Sequence, residues 1–171
     1  MEFQSCFDII GPIMVGPSSS HTAGVVSIGK FIYELVGDYP QEVNIVFYDS
    51  FAETYQGHGT DKALLGGLLG MDTDDTRIKH SLEWAKEVGM EYKFEFAESC
   101  EYYDHPNTTM VTVKHDDRLV KVGGASLGGG LSKIFMINEK MVDIRLSAGD
   151  DFTVLARSYQ PRGKVLMEAI G

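Results

Sequence analysis

Three serines, a histidine and a threonine crowd into the run Gly16-Pro17-Ser18-Ser19-Ser20-His21-Thr22-Ala23-Gly24. Just downstream, Val25, Ile28, Ile32 and Leu35 recur at helical spacing, leaving Lys30, Glu34 and Asp38 for the solvent side. The run therefore sits where a helix begins, and Gly37 followed by Pro40 marks where that helix stops. The first backbone N–H groups of a helix have no internal partner, and the macrodipole adds partial positive charge there. Ser18, Ser19, Ser20 and Thr22 bring further donors to the same place. Such an arrangement suits a small anion, a carboxylate or a phosphate. One serine here would read as an N-cap; four hydroxyls around a histidine read as a binding site.

A second imidazole sits in a matching context. In Gln56-Gly57-His58-Gly59-Thr60-Asp61 two glycines bracket the histidine, and Thr60 is placed to cap a helix built on Ala63, Leu64, Leu65, Leu68 and Leu69. Gly66 and Gly67 each cost about 1 kcal/mol relative to alanine inside a helix, which implies close packing against another backbone. Together His21 and His58 suggest a pair working on one ligand. His80, on the polar side of a helix, and His115, beside a turn, are expected to be solvated. His105-Pro106-Asn107-Thr108 is a rigid polar turn entering a strand, able to aim a side chain into a cleft. The glycine-rich residues 123–130 lie between expected strands and could cradle an anion or form a bulge or tight corner. They lack the lysine and spacing of a P-loop, and HExxH, CxxC and GxSxG patterns are absent from the chain. Ser20 and His21 make a poor nucleophile–base pair, because neighbours on a helix point apart.

The elements that must hold these residues follow from patterning. Strands are expected at 43–48, 92–96, 108–114, 118–122, 133–137 and 152–158. Helices are expected after the first motif, after Gly59, between the polar turn 72–76 and Gly89, and at 162–170. This mixture without a strict βαβ rhythm predicts an α+β fold with a mixed sheet and packed helices. A chain of 171 residues suits one domain with a short extension, and 43% hydrophobic with 23% charged residues is ordinary for a globular protein. The formal charge of −10 argues against nucleic acid, and no apolar run is long enough for a membrane span or looks like a secretory signal. Cys6 and Cys100 are too few for an iron–sulfur cluster held by this chain alone, and the low count suits a reducing cytoplasm.

Taken together, the first motif, Gly57-His58-Gly59-Thr60-Asp61, His105-Pro106-Asn107-Thr108 and Gly128, Gly129 and Gly130 resemble the β subunit of iron–sulfur-dependent L-serine dehydratase. The resemblance spans residues 3–150, nearly the whole chain. It implies deamination of L-serine to pyruvate and ammonia, with a [4Fe–4S] cluster bound by an α subunit and no metal ligand from this chain. It also implies a fold similar to the allosteric substrate-binding domain of phosphoglycerate dehydrogenase, and assembly with the α subunit and with further copies of itself. The expected roles are His58 as base, His21 orienting substrate or stabilising charge, and Ser18, Ser19, Ser20 and Thr22 on the carboxylate. Asn107 with Gly128, Gly129 and Gly130 would close the pocket. Residues 1–150 form the expected main domain, and 151–171 look like the start of a truncated ACT domain, which must pack on the main domain or on a second copy if it is to be stable. The alternative reading is a non-catalytic domain that senses serine or another anion.

Overall fold

The computed structural model describes residues 20–49, 51–52 and 59–160, with the backbone alone at Ser20 and His21. Helix α1 (Ser20–Val36) takes up the first predicted helix. Val25, Ile28, Phe31, Ile32 and Leu35 are fully buried, and so nearly are Ala23, Val26 and Ser27. That burial exceeds a one-sided stripe because α1 is sandwiched between the sheet, α2 (Thr60–Leu68) and α4 (Thr153–Ser158). Gly37 ends it at φ 96°, its N–H donating to the Tyr33 carbonyl at 2.8 Å.

Helix α2 crosses α1 at van der Waals range because both present glycine at the crossing. A Cβ on Gly67 would stand 2.9 Å from the Gly29 Cα and 2.8 Å from the Lys30 nitrogen. Gly66 differs from expectation: it faces side chains, with Ile78 Cγ1 3.1 Å from its Cβ position. Thr60 also departs from its expected role. The cap is Gly59 in the left-handed region at φ 69°, and Thr60 is a buried residue of the first turn. Beyond α2, Asp75 accepts the Arg77 N–H at 2.9 Å and starts a 3-10 turn (Thr76–His80) that leads into α3 (Ser81–Glu87). His80, at the junction, is exposed as expected.

The sheet has six strands in the order β2-β1-β3-β4-β5-β6. These are β1 (Glu42–Tyr48), β2 (Glu91–Ala97), β3 (Thr108–His115), β4 (Arg118–Gly128), β5 (Leu131–Ile137) and β6 (Lys140–Ser147). The β1–β2 pair is parallel, as the helical crossover between them requires, and the other pairs are antiparallel. The architecture is α+β with a mixed sheet. The helices cover one face, burying Ile45, Phe47, Val111, Val122, Ile134 and Ile144. On the other face Cys100, Met110, Phe135 and Met136 form a smaller cluster with Tyr103.

Three elements differ from the sequence expectation. β4 runs on to Gly128, carrying most of the glycine-rich segment inside the sheet. β6 escaped notice because it is an edge strand on which little beyond Ile144 and Leu146 is buried. Residues 152–158, expected as a strand from Thr153 and Val154, are mostly helical. The Asp151 carboxylate accepts the Thr153 N–H at 2.9 Å, and Phe152 and Ala156, one turn apart, insert into the core beside α1. That part of the extension therefore packs on the main domain. The helix expected at 162–170 lies outside the described residues.

Candidate functional site

Of the residues singled out by sequence, Ser18, Ser19 and His58 lie outside the described residues, and of Ser20 and His21 only the backbone in the first turn of α1 is described. Thr22 follows in that turn and is 7% exposed. Two residues on, Gly24 rests directly on the β4–β5 pair. A Cβ there would collide with the Ser126 hydroxyl and stand 3.0 Å from the Leu131 carbonyl oxygen. Glycine is therefore what lets the start of α1 descend onto this end of the sheet.

Ser126 is fully buried and lies opposite Ser132, also fully buried, in the β4–β5 register. The Asn107 carbonyl accepts the Ser126 N–H at 2.9 Å, which ties the turn before β3 to the same place. Asn107 is itself held by its N–H donating to His105 Nδ1 at 3.1 Å, and Thr108 Oγ1 donates to the His105 carbonyl at 2.6 Å. His105 thus positions the Asn107 backbone, and its ring stacks on Tyr103. Gly128, Gly129 and Gly130 form the corner between β4 and β5 with φ of 90°, 64° and 78°, conformations that suit glycine. The Gly130 carbonyl accepts the Ala148 N–H at 2.9 Å. One end of the sheet thereby gathers the first turn of α1, Ser126, Ser132, Asn107 and the glycine corner.

The earlier part of the glycine segment is structural. A Cβ on Gly123 would lie 2.6 Å from the Phe135 ring, which stacks on Tyr103 at 4.7 Å, and one on Gly124 would lie 3.0 Å from Ile28 Cδ1. The register shifts between these two glycines, so they serve as the bulge that the sequence had left as one of two readings. His115, expected to be solvated, is half-buried, with Nδ1 2.9 Å from the Tyr39 carbonyl oxygen.

At the other helix start, Asp61 is buried and its Oδ1 accepts the Lys62 N–H at 2.8 Å. Burial pushes its carboxyl above the ordinary value of 3.8, against the opposing pull of that hydrogen bond and of the Lys62 charge. The first turn of α1 contains no acidic residue.

Sequence reasoning passed over Ser126 and Ser132. The available signal was a hydroxyl on the buried face of each of two paired strands, flanking the glycine corner. Among the described residues no group of three or more His, Cys, Asp or Glu side chains is placed to hold a metal ion. Cys100 packs with Met110, Phe135 and Met136 on the face away from the helices, and Cys6 lies outside the described residues. Among the described residues, no helix is long and apolar enough to cross a membrane.

Residues 5–133 match the family model described as serine dehydratase beta chain. The "Probable L-serine dehydratase, beta chain" of Bacillus subtilis is 44% identical over 147 residues, covering 86% of this chain and 65% of that one. The "L-serine dehydratase, beta chain" of Peptoniphilus asaccharolyticus is 41% identical over 162 residues, covering 94% of this chain and 71% of that one. An "L-serine dehydratase" of Haemophilus influenzae is 30% identical over 158 residues, covering 79% of this chain and 34% of the relative. The chain thus spans about two thirds of the length of the two beta chains and a third of the Haemophilus protein.

Proposed function

The chain belongs to the serine dehydratase beta chain family, and we propose that, with an α partner in a reducing cytoplasm, it deaminates L-serine to pyruvate and ammonia. The single observation that carries this reading is the convergence of the first turn of α1, Asn107 and the glycine corner at one end of the sheet.

Loss of water from serine needs three things: a fixed carboxylate, a base at Cα and an acid at the departing hydroxyl. The N–H groups at the α1 start, with Ser18, Ser19, Ser20 and Thr22, hold the carboxylate. The acid-free first turn leaves that positive end to the ligand. His58 takes the Cα proton, since imidazole titrates near neutrality, and His21 orients the substrate or stabilises developing charge. The partner's [4Fe–4S] cluster would supply Lewis acidity to the hydroxyl. The enamine left after water departs tautomerises to an imine, which water hydrolyses to pyruvate and ammonia. Asn107 and the glycines 128, 129 and 130 close the pocket, and further copies of the chain complete the assembly.

Anaerobic reconstitution with the α chain and a pyruvate assay tests this. The expected result is turnover by the complex, with this chain alone inactive. Full L-serine binding by the isolated chain, with no turnover by a complex holding an intact cluster, would replace the enzyme reading with a sensor of serine or another anion.

A further inference from the structure

Ser132 stands out in the described structure. It is fully buried, and its Oγ is the buried side-chain oxygen that finds no hydrogen-bond partner among the described residues. Leaving a buried hydroxyl unpaired costs on the order of 1–3 kcal/mol, so such groups are rare unless a ligand pairs with them. Its place in the sheet shows where the hydroxyl points. Alternation along β5 puts Ser132 on the face of Ile134, which is the face covered by the helices. Ser126, its opposite neighbour, lies on that same face, where Gly24 of α1 meets its hydroxyl. Ser132 therefore faces the helix layer beside the point where Gly24, one turn into α1, meets the sheet, and the first turn of that 17-residue helix bears no acid. Immediately before Ser132 lie Leu131, whose carbonyl touches the Gly24 position, and the left-handed corner Gly128, Gly129, Gly130.

We propose that Ser132 is a substrate-positioning residue, donating its hydroxyl to the carboxylate of the α-amino acid held at the start of α1. A hydroxyl donor from the sheet below and N–H donors from the helix above would grip a carboxylate from two directions. This rests on the carboxylate reading of the α1 start. It adds to that reading a donor that belongs to neither the serine-rich run nor the histidine motifs.

The test uses the reconstituted complex with the α chain, comparing wild type with Ser132→Ala, and L-serine with inorganic phosphate as probes. A hydrogen bond to a carboxylate lost from a ground-state contact should raise KM for L-serine by about ten-fold or more while kcat changes little. The same substitution removes an unpaired buried hydroxyl, so the melting temperature without ligand should hold or rise, while the stabilisation produced by L-serine shrinks. An unchanged KM together with a lowered melting temperature would show a structural hydroxyl and overturn the proposal. Weakened protection by phosphate with an unchanged KM for L-serine would assign Ser132 to a free phosphate instead, and overturn it too. If the wild-type complex neither binds nor converts L-serine, the carboxylate reading itself fails and Ser132 falls with it. A normal wild type beside an indifferent variant removes Ser132 alone.

Discussion

The starts of α1 and α2 look alike in sequence, each a histidine among small and hydroxylated residues, yet their described first turns differ in charge: that of α2 holds an acid and that of α1 holds none. In α2 the positive end is already occupied by the chain itself: Asp61 is buried there and accepts the Lys62 N–H at 2.8 Å. In α1 the first turn has no acid, and just beyond it Gly24 meets the strand pair that carries Ser126 and Ser132. A helix start that carries its own carboxylate has little left for a ligand, whereas one without a carboxylate, set over buried hydroxyls, favours an anion from outside. The glycine contact between Gly29 and Gly67 packs the two helices directly against each other. On the proposed function, the α1 motif binds the carboxylate and the α2 motif supplies the base.

The largest expected effect separates the two histidines. In the reconstituted complex, His58→Ala should lower kcat by about 10²–10⁴, the usual worth of a general base, with a smaller change in KM. His21→Ala should disturb both parameters. Measured kcat and KM, with exchange of the serine Cα proton into solvent, check this division. Exchange that survives His58→Ala but not His21→Ala would reverse it.

Next comes the lock between the helices. Gly67→Ala places a methyl against the α1 backbone, where neither side can yield, and should cost about 2–3 kcal/mol in denaturant unfolding. Gly66→Ala has side chains, Ile78 and Met71, as its nearest neighbours instead of backbone, and gains about 1 kcal/mol of helix propensity, so its stability should stay near wild type. Equal losses at the two sites would mean that the crossing does not depend on glycine.

The smallest effect concerns Asp61. Its folded pKa lies above the ordinary 3.8, so between those values the folded chain keeps a proton that the unfolded chain releases. Stability should therefore fall as pH rises through that window. Asp61→Asn, which keeps an oxygen acceptor for Lys62, should flatten that part of the profile in urea titrations at several pH values. A profile identical to wild type would show that Asp61 is solvated, and the contrast between the two helix starts would lose one side.

Much of this was legible in the sequence, because the periodic segments obey one dominant force. The helix through Val25, Ile28, Ile32 and Leu35 and the strand through Ile45 and Phe47 are where apolar spacing puts them, since burial of those side chains decides the local structure. Legibility failed where tertiary contacts overrode local preference. Thr153 and Val154 favour a strand, but the Asp151 hydrogen bond and the core positions of Phe152 and Ala156 impose a helix. Thr60 looks like a cap, yet Gly59 reaches the left-handed conformation that the turn requires. In the candidate site, the motif glycines and Asn107 were visible. Ser126 and Ser132 were not, because their meaning lies in strand pairing and in the approach of Gly24, neither of which appears in a linear reading.

The central claim, that the start of α1 and not that of α2 receives the substrate carboxylate, is tested most directly by titrating L-serine into the reconstituted complex with this chain isotopically labelled. The backbone amide resonances of Thr22, Ser126 and Ser132 should shift in saturable fashion while that of Lys62 stays in place. A shift centred on Lys62, with Thr22 and Ser132 unmoved, would contradict the account.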